Sequence, residues 1–156
     1  MQPHKSQQGF SLVELLIVVA IIGIISPIAV PNLMASRRAA NEANAISAMR
    51  TLSTAQVNYW FTFGGGAYGS LEQLANDRVI DSKLAAATDA ANARSGYIYG
   101  IRLINGGASY VAGSAPVTAS TGSRNFSCDQ PGVIYAHTLN AGVVPTATDG
   151  GTAVGN

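Results

Sequence analysis

The stretch that decides the fold is QGFSLVELLIVVAIIGIISPIAVP, residues 8–31. Between Phe10 and Val30 it contains a single charged side chain, that of Glu14. A helix needs about 20 apolar residues to cross a bilayer core of about 30 Å, so the stretch predicts a membrane-spanning helix. A cleaved secretory signal is the alternative, although its apolar core is usually only about 7–15 residues long. A carboxylate near one end and two prolines near the other are unusual in such a helix and need an explanation.

Composition predicts one globular domain attached to the apolar stretch. The chain has 156 residues, of which 47% are hydrophobic and 11% are charged, and it is too short for two full cores. The formal net charge is +1 and the sequence has no basic cluster, so we expect no nucleic-acid binding. No residue pattern indicates a metal site, a cofactor site or a catalytic constellation. We therefore expect a protein that is not an enzyme and that binds neither metal nor cofactor.

Cys128 is the only cysteine, which excludes an intramolecular disulfide. A lone cysteine is more often a small buried side chain than a reactive group, so burial is the favoured interpretation. A thiol that joins two copies of the chain stays open as the alternative.

The helix is predicted to continue beyond the apolar stretch and to become amphipathic. Between residues 33 and 63, apolar or small residues recur at spacings of three and four, which places them along one stripe of a helix. The predicted stripe consists of Ala39, Ala43, Ile46, Met49, Leu52, Ala55, Tyr59 and Phe63. Glu42 and other polar residues are predicted to lie mostly away from it. Three glycines at 64–66 end the helix, because glycine readily adopts the left-handed conformation found at helix ends.

The rest of the chain predicts a small antiparallel sheet. A short helix comes first, with Ser70 and Gln73 forming a capping box. After Gly96, the segments YIYGIRLI and ASYVAGSAPV form one hairpin around NGG, and RNFSC and GVIYAH form a second around DQPG. The predicted fold class is therefore α+β, a long N-terminal helix packed against about four antiparallel strands. The tail from residue 139 is rich in glycine, threonine and alanine, and it is predicted to be mobile.

The opening stretch resembles the N-terminal signature of type IV pilins and of the pseudopilins of type II secretion. A short polar leader ends in Gly9, and Phe10 follows it. Glu14 stands four residues further on, ahead of a long apolar run and a proline-asparagine step at 31–32. The resemblance implies that a prepilin peptidase cuts between Gly9 and Phe10 and that the new amine of Phe10 is N-methylated.

The same resemblance divides the chain into four parts. It implies a prepilin leader at 1–9, a transmembrane and filament-core helix at 10–31, and a globular domain at 32–138 that includes the amphipathic half of the helix. The predicted mobile tail occupies 139–156.

Glu14 needs a partner that the surrounding sequence does not supply. A carboxylate within the hydrocarbon costs about 2.5–3.5 kcal/mol on insertion scales, and such a group is usually paired. The nearest arginine after it, Arg37, is about 35 Å away along a helix. The resemblance implies that the partner is the amine of Phe10 on a neighbouring subunit, so that Glu14 sets the stagger between subunits. The alternative is that the carboxylate reaches the interface near the helix start.

The two prolines predict a weak segment in the helix. Pro27 and Pro31 lack the N–H groups that would bond the carbonyls of Gly23 and Pro27. We expect residues 23–31 to bend in the monomer and to unwind partly in a filament. The resemblance gives precedent for Gly23 and Pro31, whereas Pro27 departs from it because small residues are usual at that position. The alternative is that both prolines only kink a transmembrane helix.

The resemblance implies a structural subunit of a type IV pilus-like helical filament. The partners it implies are further copies of the chain, a prepilin peptidase, membrane lipid, and an inner-membrane assembly platform with its ATPase. The subunit would lie in the bacterial inner membrane before assembly and in an extracellular or periplasmic filament afterwards. A major pseudopilin of type II secretion is the alternative within this class. A membrane-tethered binding module or minor tip subunit is the alternative of another class.

Overall fold

The computed structural model describes residues 9–138 and 140–154. Three helices come first: α1 (Leu12–Thr62), α2 (Leu71–Asn76) and α3 (Ser82–Ala86). Five strands follow: β1 (Tyr97–Ile104), β2 (Ser109–Pro116), β3 (Asn125–Cys128), β4 (Ile134–His137) and β5 (Thr152–Ala153). The predicted α+β fold class is confirmed.

Contacts within the chain divide it into two units, and the boundary in the sequence lies between Ser36 and Arg37. Helix α1 contributes to both units and is helical without interruption through Pro27 and Pro31. The first unit is the N-terminal part of this helix together with the residues that precede it. A bend at 23–31 stays a prediction.

In the second unit, the side of α1 that is buried differs from the predicted stripe. Met49, Leu52, Ala55 and Tyr59 are buried as predicted, but the buried residues also include Glu42, Ala45, Ala48 and Gln56. Ala39, Ala43 and Phe63 are exposed instead, and Ile46 is only partly buried. The prediction counted apolar residues alone, so the placement of Glu42 away from the stripe was wrong. Polar residues enter this stripe because neighbouring loops supply their hydrogen-bond partners.

The end of α1 and the start of α2 follow the sequence signals closely. Helix α1 ends at Thr62, and Gly65 and Gly66 have φ angles of +58° and +92°. At the start of α2, the Gln73 backbone N–H donates to Ser70 Oγ, and the Ser70 N–H donates to Gln73 Oε1. The predicted capping box is therefore confirmed.

The five strands form one antiparallel sheet in the order β1-β2-β3-β4-β5. In the longest pairing, Tyr97 of β1 lies opposite Pro116 of β2, and Ile104 lies opposite Ser109. The turn between these strands is Asn105–Gly107, the predicted NGG turn. One face of the sheet packs on the buried side of α1 and on α2 and α3. Its largest buried contributors are Tyr97, Tyr99, Tyr110, Phe126, Cys128 and Ile134.

The fifth strand corrects the predicted count of about four. Residues 140–154, here called the C-terminal strap, follow the second hairpin, and β5 pairs with the outer edge of β4. The strap is also held at its start, where the Asn125 side-chain amide donates to the carbonyl of Val143 at 2.6 Å. A composition that is poor in large apolar residues still adds a strand here, because backbone hydrogen bonds hold it. Mobility of the tail stays a prediction.

Candidate assembly and processing site

The N-terminal part of α1 exposes large apolar side chains on every side. Between Phe10 and Met34 their exposed fractions run from 42% at Met34 to 80% at Leu12. The helix is long and apolar enough to cross a membrane, and none of its most apolar window is buried. A continuous apolar surface of this size requires lipid or other helices around it, because soluble monomers rarely expose large apolar patches.

The predicted cleavage point lies just before the helix. Gly9 and Phe10 are exposed and non-helical, and α1 begins two residues after Phe10, at Leu12. A Cβ atom added at Gly9 would meet no other atom within 4 Å. Residues 1–8 of the predicted leader lie outside the described residues. Within the described residues, Gly9 and Phe10 are thus exposed at the predicted cleavage point, and cleavage there stays a prediction.

Glu14 lies in the first turn of α1 and is exposed. A carboxylate is favourable at this end of a helix because the backbone N–H groups of the first turn carry partial positive charge. Within residues 9–138 and 140–154, Glu14 makes no ion pair. The structure therefore places Phe10 and Glu14 close together at one end of the apolar helix, with the carboxylate available to another chain.

The three predicted weak positions lie further along the same helix. Gly23, Pro27 and Pro31 are spaced by four residues, so they lie on one side of α1. Pro27 is about 20 Å from Glu14 along the axis at 1.5 Å per residue. Within this segment, Ser26 Oγ donates to the backbone carbonyl of Ile22 at 2.7 Å. The structure thus separates the charged end of the helix from its proline segment.

The sequence did not predict a charged contact within the second unit, between α1 and the loop before β3. Glu42 is only 7% exposed, and its Oε1 accepts from the Ser123 backbone N–H at 2.9 Å and from the Ser123 hydroxyl at 2.7 Å. Its Oε2 accepts from Arg124 Nε at 2.9 Å and lies 2.8 Å from Arg124 Nη2. This arrangement ties α1 to the loop before β3.

The electrostatics of Glu42 follow from those contacts. Burial alone would raise the pKa of its carboxyl, but the hydrogen bonds from Ser123 and the pairing with Arg124 outweigh burial and hold the pKa below its usual value. The group is therefore charged at neutral pH. No local sequence pattern predicts this contact, because Ser123 and Arg124 are about 80 residues away from Glu42 in the sequence.

Two further buried side chains in the second unit, Gln56 and Cys128, are part of the packed interior. Gln56 is fully buried, and its side-chain amide donates to the Gly69 carbonyl at 2.6 Å while its Oε1 accepts from the Gly69 N–H at 3.0 Å. Cys128 is a buried free thiol, and burial raises its pKa to about 12. The favoured interpretation of this cysteine as a buried side chain is confirmed.

Comparison with known proteins gives a family match at the start of the chain, which includes part of the exposed helix. Residues 4–26 match the prokaryotic N-terminal methylation motif. The type II secretion system core protein G of Aeromonas hydrophila is 31% identical over 94 residues, which cover 60% of this chain and 64% of that protein. Fimbrial protein Q of Moraxella bovis is 29% identical over 149 residues, covering 96% of this chain and 90% of that protein. These matches support a place for the chain in the type IV pilin and pseudopilin family.

The relatives that match the chain include both secretion-system and pilus components. The type IV wide pilus major component of Thermus thermophilus is 50% identical over 38 residues, which cover 24% of this chain and 29% of that protein. The matches to this relative and to the Aeromonas protein each span less than two thirds of the relative's length. No solved structure matches the chain. The relatives given above are named as components of pili, fimbriae or secretion systems.

Proposed function

We propose that this chain is the major structural subunit of a type IV pilus-like helical filament. Before assembly it is held in the bacterial inner membrane by residues 10–31, with residues 32–138 as its globular domain. A prepilin peptidase removes residues 1–9, and the platform and ATPase of the assembly machinery transfer the helix from lipid to a bundle of identical helices. Head-to-tail contacts that do not close into a ring produce such a filament.

The observation that carries the proposal is the exposure of the apolar helix on every side. From Gly9 to Ser36 every residue except Ser26 is exposed, and the most apolar part of the helix has no buried residue. Lipid covers such a surface in the membrane, and neighbouring copies cover it in a filament. A single surface therefore serves both states.

Cleavage and methylation are tested directly by mass spectrometry of the chain after co-expression with a prepilin peptidase. We expect the mature chain to begin at an N-methylated Phe10. Gly9→Val should block cleavage while leaving the fold intact, because a side chain at this position meets no neighbouring atom. A chain that is cut after another residue, or that stays uncut, would overturn this part of the proposal.

We propose that Glu14 pairs with the amine of Phe10 on a neighbouring subunit. The exposed carboxylate has no ion-pair partner within the described residues, and the pairing would favour one stagger between helices over others. Glu14→Gln and Glu14→Ala are expected to abolish long filaments in electron micrographs while membrane levels of the subunit stay normal. Glu72→Gln, on the exposed surface of α2, is the control and should assemble normally. Normal filaments from both Glu14 variants would remove the proposed role.

We further propose that the helix loosens between Gly23 and Pro31 when it enters the filament. Two carbonyls of this segment have no N–H donor four residues later, so fewer hydrogen bonds oppose extension. Cryo-electron microscopy of the filament is expected to show an extended stretch within residues 23–31. An unbroken helical hydrogen-bond ladder there would refute the loosening and leave only a static kink.

A pseudopilin of type II secretion is the second candidate function, and the similarity to the Aeromonas secretion protein favours it. The two functions differ in what the filament does rather than in the subunit fold. Deleting the gene and measuring both surface pili and secreted proteins separates them. Loss of pili with normal secretion supports the pilus subunit, and the converse supports the pseudopilin.

A further inference from the structure

Ser26 differs from every other residue in the exposed N-terminal helix. From Gly9 to Ser36 all residues are exposed except Ser26, which is partly covered. It is covered because its hydroxyl turns back on the preceding turn and donates to the Ile22 carbonyl at 2.7 Å. The Ser26 hydroxyl thus has a hydrogen-bond acceptor within the apolar helix itself.

The position of Ser26 matters because Pro27 follows it directly. Pro27 has no N–H, so the Gly23 carbonyl loses its normal donor, and the proline ring presses against that same carbonyl. The Ile22 and Gly23 carbonyls lie four and three residues before Ser26. A serine hydroxyl on a helix is able to bond either of these two carbonyls, depending on its rotamer. A change of the Ser26 rotamer would therefore bring its hydroxyl to the carbonyl that Pro27 leaves without a donor.

We propose that Ser26 is the internal hydrogen-bond donor that compensates for Pro27 within the apolar helix. While the turn is regular, the hydroxyl bonds the Ile22 carbonyl, as the structure shows. When the turn opens at Pro27, the hydroxyl moves to the Gly23 carbonyl and keeps it satisfied in a medium without water.

This inference rests on the proposed function only in treating the helix as embedded in lipid. In hydrocarbon, an unsatisfied carbonyl has no water to bond, and serine side chains are among the groups that replace lost backbone hydrogen bonds. Serine hydroxyls that bond the carbonyl four residues back also bend helices slightly. Ser26 therefore both stabilises the proline turn and directs where the helix opens.

The test is a cycle of variants of the full-length chain in detergent micelles, followed by hydrogen-deuterium exchange of peptides that cover residues 22–31. The variants are Ser26→Val, Pro27→Ala and the double variant. With Pro27 present, Ser26→Val is expected to speed exchange about fivefold, which corresponds to one lost hydrogen bond. In the Pro27→Ala background the same change should have little effect. Ser26→Thr, which has the shape of valine and keeps the hydroxyl, should behave like the native chain.

Ser36 offers a matched control in the same part of the helix. Its hydroxyl makes the same type of bond, to the Asn32 carbonyl at 3.0 Å, but no proline follows it. Ser36→Ala should leave exchange at residues 22–31 unchanged. Equal effects of Ser26→Val with and without Pro27, or no effect in either, would overturn the proposal. Because exchange is measured on uncut and unassembled chain, failure to form filaments would count against the proposed function and not against this coupling.

Discussion

Glu42 is the residue on which the junction between α1 and the loop before β3 depends. Glu42→Ala removes the acceptor for Ser123 and Arg124, and we expect the free energy of unfolding to fall by about 2–3 kcal/mol. Arg124 limits the loss, because its side chain is 47% exposed and water replaces part of the lost contact. Urea denaturation of the full chain in detergent, followed by Trp60 fluorescence, measures the change. Glu72→Gln is the control and should alter stability by less than about 0.5 kcal/mol.

Glu42 also predicts a pH dependence with a definite sign. Its folded pKa is lowered, so its contribution to stability is present above the pKa of the unfolded carboxyl, about 4.3, and is lost as pH falls through the lower folded value. Glu42→Gln carries no titrating group and should lose less stability over this acid range. Asp81 and Asp89 also have lowered pKa values, so the difference between the native chain and Glu42→Gln isolates the effect of Glu42. Parallel acid curves for the two proteins would contradict the assignment.

The C-terminal strap packs closely over a pair of glycines in the sheet. Gly100 of β1 and Gly113 of β2 lie opposite each other, and the strap crosses this pair through Val144 and Pro145. A Cβ atom at Gly113 would overlap the Pro145 carbonyl oxygen, whereas at Gly100 its nearest neighbour is Val144 Cγ1 at 3.4 Å. The strap therefore needs glycine at one of these positions far more than at the other.

Alanine at each position tests this difference. Gly113→Ala is expected to displace the strap, to speed hydrogen exchange in residues 140–154 and to cost about 1–3 kcal/mol of stability, as overpacking does. Gly100→Ala needs only a shift of a few tenths of an ångström in one side chain, so we expect a change below about 1 kcal/mol. Exchange mass spectrometry and urea denaturation measure the two effects. If both variants behaved alike, close packing of the strap over Gly113 would be refuted.

Elements with local signals were predictable, and those with distant partners were not. The capping box of α2, the glycine end of α1 and the two hairpins depend on residues a few positions apart, which a sequence pattern records. The strap is held instead by Asn125, 18 residues before Val143, and by backbone pairing of β5. Neither contact requires an apolar pattern, so composition indicated a tail rather than a strand.

At the scale of the whole molecule, the two units differ in how far the sequence describes them. In the first unit the motif, the apolar run and the prolines are contiguous, so a sequence pattern indicates them directly, and the roles of Gly9, Phe10 and Glu14 stay predictions. The core of the second unit depends on which residues of α1 are buried. Among these residues, the polar side chains of Glu42 and Gln56 form hydrogen bonds with loops elsewhere in the chain. The periodicity of apolar residues therefore predicts only some of the α1 residues that are buried.

The same division predicts that the second unit folds without the first. Among residues 9–138 and 140–154, every buried core residue lies beyond Ser36, so a chain that begins at Arg37 should keep its core and remain monomeric without detergent. Cys128 reports the outcome, because it is completely buried and burial raises its pKa to about 12. Its thiol should react with a maleimide at pH 8 far more slowly in buffer than in concentrated urea. Equal rates under the two conditions would mean that the core needs residues before Arg37, and that the apolar helix supports the fold as well as the membrane and filament states.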